Sequence, residues 1–104
     1  MSKEMVSHPS HYNQVGRKEC IVEMEEFYGA EFTAIFCLMS AYKYLYRKGN
    51  KDDNSIEQDT KKAEWYFDYV RNNLYNEMTV EFIESSSFRH LYHEILALIL
   101  EEDE

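Results

Sequence analysis

Lys43 and Arg47 stand four residues apart, one helical turn, and so leave a helix in nearly the same direction. Arginine offers a planar fork of donors and lysine a mobile point charge, a pair suited to phosphate or carboxylate. The plainer use of these cations is salt bridging to Glu57 or Asp59, and the two uses are compatible, because carboxylates hold such cations in position. A second polar constellation is His8-Pro9-Ser10-His11-Tyr12-Asn13. Two histidines around a proline lack further ligands at fixed spacing, so no metal site is expected there. They anchor an arm, or donate to a phosphate if the arm folds over one. Trp65, Tyr66 and Tyr69 have the rings to stack on a base, although an aromatic patch on a helix more often makes a core or subunit contact.

Other chemistries are set aside. With only three glycines, Gly16, Gly29 and Gly49, there is no phosphate-binding loop and no dinucleotide fingerprint. No nucleophile-elbow or cysteine-histidine pattern occurs. Glu23, Glu25, Glu26 and Glu31 invite comparison with the magnesium-binding carboxylates of all-helical nucleotide pyrophosphohydrolases. Their first motif is out of register here, and Glu64 and Asp68 are four apart where an E-x-x-D pair is needed, so a solvated acidic face is expected. Cys20 and Cys37, seventeen apart, fit neither a disulfide framework nor a zinc site and read as buried reduced thiols.

These residues need elements to position them. Residues 1–18 read as an irregular arm, since Pro9 biases His8 toward extended backbone and Gly16 breaks any regular pattern beyond it. A short helix is predicted from about Glu19 to Tyr28 and ended by Gly29. The next helix, about 31–48, carries two adjoining apolar stripes, Phe32, Ile35, Met39, Tyr42, Tyr46 and Ala34, Leu38, Ala41, Leu45, so it should be nearly surrounded by protein. Its remaining seam is Thr33, Cys37, Ser40, Tyr44 and Arg47, with Lys43 on the shoulder. Gly49 is placed to cap it, with a loop through Asn54. Ser55 caps a third helix running to about Leu74, with Asp59 in its first turns, an inward face of Ile56, Ala63, Phe67, Val70 and Leu74, and Trp65, Tyr69 and Lys62 on the opposite side. A last helical region covers about 79–101, breaking at Ser85-Ser86-Ser87, with a stripe of Phe88, Leu91, Tyr92, Ile95 and Ile99 widened by Leu96, Leu98 and Leu100. The fold class is therefore all-α: a small single-domain bundle of about four helices with an N-terminal arm (1–18), a core (19–76) and an acidic helical extension (77–104).

At 104 residues the chain has room for one core, and 44% hydrophobic residues suit a folded domain. No apolar run is long enough for a membrane span and the start has no signal-peptide stretch, so a cytoplasmic location is expected. The net charge of −9 is uneven: residues 77–104 hold eight acids against Arg89 alone, whereas six of the eleven lysines and arginines fall between 43 and 62. The body can hold a local anion site while the tail repels polyanions.

Taken in order, His8-Pro9-x-His11-Tyr12-Asn13, Glu19-Cys20-Ile21, Lys43-Tyr44-Leu45-x-Arg47 and Glu57-x-Asp59-x-x-Lys62-Ala63-x-Trp65-Tyr66 resemble the SaV-like family of small phage proteins. That family is a domain of unknown function whose members are often described as phage nucleotide kinases. The resemblance covers about residues 8–70. It implies a phage-encoded nucleotide-binding protein of the infected host cytoplasm, in its enzymatic form a deoxynucleoside monophosphate kinase using ATP as phosphate donor, with or without magnesium. Lys43 and Arg47 would take phosphate, the His8, His11 and Tyr12 arm would close over it, and Glu57 or Asp59 would orient the cations; no catalytic residue and no metal ligand is assigned. Three positions depart from the pattern: Met39-Ser40 stands where relatives have Gly-Asn, and Thr60 where they have Leu. The alternative is a non-enzymatic anti-defence or host-takeover protein, which sequesters a nucleotide signal or inhibits a nucleic-acid-binding host factor through its acidic surface. A third option is an assembly module. The expected partners are a small anionic ligand, a host protein, and further copies of the chain through the 79–101 region and the Trp65 face, but neither nucleic acid nor membrane.

Overall fold

The computed structural model describes residues 19–48 and 56–102. The arm, Gly49 with its loop, the Ser55 cap and the last two residues lie outside the described residues. Among the described residues there are four α-helices and no strand: α1 (Cys20–Arg47), α2 (Ile56–Tyr69), α3 (Val80–Ile83) and α4 (Ser86–Glu102). A π-helical turn (Val70–Leu74) and a 3-10 turn (Tyr75–Glu77) join α2 to α3. No described helix is long and apolar enough to cross a membrane.

Gly29 interrupts α1 at φ 92° and ψ 163°, a conformation open essentially to glycine alone, and so divides it into the two limbs that the sequence marks. Thr33 Oγ1 donates to the Gly29 carbonyl at 2.8 Å, which satisfies a hydroxyl that would otherwise be buried unbonded. The core then forms from Ala34, Cys37, Leu38, Ala41 and Leu45 of α1, Ala63 and Phe67 of α2, Val70 and Leu74 of the π-turn, Met78, and Phe88, Ile95 and Ile99 of α4. Alanines at 34, 41 and 63 let the α1 and α2 backbones approach closely.

The C-terminal elements are tied on by caps. Thr79 accepts from Phe82 N at 3.1 Å, and donates its own backbone N–H and hydroxyl to Glu31 Oε2, both at 2.8 Å, which clamps α3 to the bend of α1. Ser85, in the serine run that breaks the helix, caps α4 by accepting from Phe88 N at 3.3 Å.

Four sequence expectations change. The second limb of α1 is not surrounded by its own chain: Phe32, Met39, Tyr42 and Tyr46 are exposed, and so is Phe36 beside them. Thr33, from the polar seam, enters the core instead; Cys37 is buried as a reduced thiol should be, whereas Cys20, expected to be buried as well, is exposed. On α2, Ile56 is exposed and the buried position of its first turn is taken by Asp59, while Trp65, Tyr66 and Tyr69 are half-buried against the core. Residue size explains the exchange on α1, since the Ala/Leu face packs closer than a Phe/Tyr/Met face.

Candidate anion site

The polar end of the α1–α2 pair gathers charge around one ring. Tyr44 has the Arg47 guanidinium carbon 4.8 Å, the Lys43 ammonium 4.9 Å and the Lys62 ammonium 5.4 Å from its centroid. Helical spacing brings Lys43 and Arg47 to Tyr44, and the packing of α2 brings Lys62. A ring face attracts a cation by about 0.5–1 kcal/mol at an exposed site. Like charges collected on one ring also repel one another, a cost that a bound anion relieves.

Beneath this cluster lies Asp59, wholly buried in the first turns of α2. Its Oδ1 is 3.4 Å from Arg47 Nη2, a long ion pair, and its Oδ2 has no hydrogen-bond donor among the described residues. A buried carboxylate is tolerated only when a cation is held against it, so Asp59 fixes where the Arg47 fork sits. Glu57, two residues earlier, is exposed and pairs with Lys61 at 3.4 Å along α2, away from the cluster.

An aromatic array continues from the cations. Tyr44 lies nearly parallel to Tyr66, at 6.1 Å and 15°. Tyr66 meets the edge of Trp65 at 5.3 Å and of Phe36 at 5.9 Å, and Trp65 stacks on Tyr69 at 5.4 Å. All except the exposed Phe36 are half-buried, so they combine packing with partly open ring surface, the property a base-stacking platform shares with an interface.

The structure thus brings together Lys43, Arg47, Asp59, Trp65, Tyr66 and Tyr69, and leaves Glu57 apart. His8, His11 and Tyr12 lie outside the described residues. Tyr44 and Lys62 belong to the cluster but were not picked out by residue type and spacing alone. A signal for both was present: Tyr44 sits between Lys43 and Arg47, and Lys62 is one turn beyond Asp59.

The remaining titratable groups do other work. Burial first, and then the Glu25 carboxylate, push the Cys37 thiol up to about 12, which keeps it protonated and unreactive near neutral pH. Tyr69 is raised by the same two causes, with smaller contributions from Cys37 and Glu19. No group of three metal-ligating side chains occurs among the described residues. A cavity of about 470 Å³ opens at the Gly29 bend, lined by Tyr28, Phe32, Ile35 and Phe82 with Glu31 and Glu77. Its carboxylates have the wrong sign for an anion, and it shares no residue with the cation cluster.

A family model described as a protein of unknown function, DUF3310, matches residues 6–68. The chain belongs to that family, and the matched stretch contains the whole cation cluster and most of its aromatic array. No curated protein and no solved structure matches the chain.

Proposed function

We propose, with membership of this family of unknown function as the premise, that Lys43, Arg47 and Lys62 bind the phosphate of a nucleotide. The single observation that carries the proposal is the crowding of three cations around Tyr44 against one buried carboxylate, in a chain whose net charge is −9. Asp59 holds the Arg47 fork, the lysines supply mobile charge, and the adjoining Tyr66, Trp65 and Tyr69 rings offer stacking surface to a base. In the form the SaV-like motifs suggest, the protein is phage-encoded and phosphorylates deoxynucleoside monophosphates with ATP. Phosphoryl transfer depends mainly on positioning and on stabilising charge, so a cation cluster without a phosphate loop suits it physically.

The lone tryptophan, Trp65, gives the test its signal. Titration with each deoxynucleoside monophosphate should change its emission, and Lys43→Ala should weaken that response by about tenfold or more, the loss of one charge-assisted contact. Incubation with ATP and magnesium should yield diphosphate above a Lys43→Ala control. No emission change and no binding by calorimetry refutes the anion site; binding without diphosphate refutes only the kinase.

The second reading, a non-enzymatic inhibitor acting on a host factor through its acidic C-terminal surface, is favoured by the eight acids of residues 77–104 and by Met39-Ser40 in place of Gly-Asn. Deleting that segment does not discriminate, because Met78, Phe88, Ile95 and Ile99 help build the core. Neutralising the exposed Glu81, Glu84 and Glu101 to glutamine leaves the core alone, and should abolish inhibition while sparing a nucleotide site.

A further inference from the structure

Among the described residues, the largest apolar surface left bare is on the second limb of α1, directly opposite the core. Phe32 is 75% exposed, Met39 56% and Tyr46 79%, with the less exposed Phe36 and Tyr42 beside them. Phe32, Met39 and Tyr46 recur every seven residues, so they drift by only about 20° per step around the helix and form one continuous ridge. The ridge and its flanks, Ile35, Phe36, Tyr42 and Lys43, include no carboxylate, in a chain with 20 acids.

We propose that this ridge is a homodimer interface, in which α1 packs antiparallel against α1 of a second copy about a twofold axis at Met39. Spacing argues for the second copy. Seven residues separate Met39 from Phe32 on one side and from Tyr46 on the other, so the antiparallel arrangement sets Phe32 level with the partner's Tyr46 and Met39 against the partner's Met39. The partner's Tyr46 then arrives beside the cavity lined by Tyr28, Phe32 and Ile35. On one flank, Lys43 meets the partner's Phe36, a cation against a ring.

Area argues the same way. At about 200 Å² for a large side chain, the exposed fractions of Phe32, Phe36, Met39, Tyr42 and Tyr46 amount to about 600 Å² per copy. Two copies would bury about 1,200 Å², the lower bound of a stable interface, and more where the exposed Phe27 and Tyr28 join in. Charge is compatible, because the acidic α4 packs on the core face of α1 and would lie on the outer sides of the dimer. Lys43 and Phe36 are shared with the cation cluster and its aromatic array, but Phe32, Met39 and Tyr46 belong to neither, so variants at those positions test the dimer apart from the anion site.

Sedimentation of the full chain tests it, with Phe32→Glu and Tyr46→Glu as the disrupting variants and Leu100→Glu as the control, since Leu100 is an exposed leucine of α4. The full chain should sediment as a dimer at about 50 µM, a routine concentration for micromolar association, and each α1 variant should weaken dimerisation by about 30-fold or more, the effect of an interface hot spot. The Leu100→Glu chain should remain dimeric. Phe32, Tyr46 and Leu100 all face solvent, so glutamate at any of them spares the core, and circular dichroism checks that the helices persist. Register has its own readout: with the exposed Cys20 replaced by serine, Met39→Cys should form an intermolecular disulfide under glutathione oxidation, and Tyr75→Cys should not. A monomeric full chain, a dimer that survives Phe32→Glu and Tyr46→Glu, or equal cross-linking of the two cysteine variants each overturns the proposal.

Discussion

Replacing Arg47 with methionine removes the cation held against the wholly buried Asp59 while keeping most of the side-chain volume. At the observed 3.4 Å, and with an effective dielectric of about 20, the gross attraction between unit charges is about 5 kcal/mol. Burying the Asp59 carboxylate opposes it by several kcal/mol, so the intact pair is close to neutral for stability. The single substitution is not neutral, because it leaves the carboxylate in the core with one oxygen already lacking a donor among the described residues. Breaking a buried pair from one side costs about 3–5 kcal/mol; since the Arg47 side chain keeps a quarter of its surface in water, the lower figure of about 3 kcal/mol applies. In a domain of this size that lowers the melting temperature by about 12–20 °C. The double variant, Arg47→Met with Asp59→Leu, removes both charges and should recover most of the loss. Urea denaturation tracked by circular dichroism and Trp65 emission measures all four corners of the cycle. The reasoning fails if Arg47→Met costs under about 1 kcal/mol, or if the double variant loses the sum of the two single effects, since independent sites add and coupled ones do not.

Two further outcomes concern the core and the bend. Cys37 has its thiol raised from about 9 to about 12 in the folded chain, so the unfolded chain loses that proton first as the medium turns alkaline. Its contribution is therefore fully present below about pH 9 and is lost as pH rises toward 12, by up to about 1.4 kcal/mol per pH unit; denaturation of the wild type and of Cys37→Ala at pH 8 and 10 should show a steeper fall for the wild type, and parallel falls would refute it. Gly29→Ala should cost about 1–3 kcal/mol in a thermal melt through backbone strain alone, because nothing lies within 4 Å of the added methyl group; an unchanged or raised melting temperature would mean that α1 does not need its bend.

Much of the architecture is legible because single residues mark it. Gly29 divides α1, Ser85 separates α3 from α4, and Phe67, Phe88, Ile95 and Ile99 fall inward at helical spacing. Hydrophobic periodicity could not choose between the two apolar stripes of α1, since it records that Phe32 and Ala34 are both apolar but not that only the smaller admits a neighbouring backbone. Nor could it place Thr33 in the core, because that depends on a hydrogen bond back to Gly29. The α2 prediction failed at Ile56 for a related reason: a carboxylate counts as outward in any pattern, and Asp59 turns inward only because Arg47, twelve residues earlier, meets it.

The same limit governs the candidate site. Lys43 and Arg47 are visible as a pair because one helix turn relates them, but a cluster drawn from two helices has no fixed spacing. Lys62 joins it only through the packing of α2 on α1, which Ala34, Ala41 and Ala63 make close. Those small residues thus serve the site from a distance: enlarging Ala63 would push α2 outward, separating Lys62 from Tyr44 and Asp59 from Arg47 together. The close helix approach that forms the core and the convergence that forms the cation cluster are therefore one structural fact, and it also explains why the larger side chains of α1 are left on the outer face.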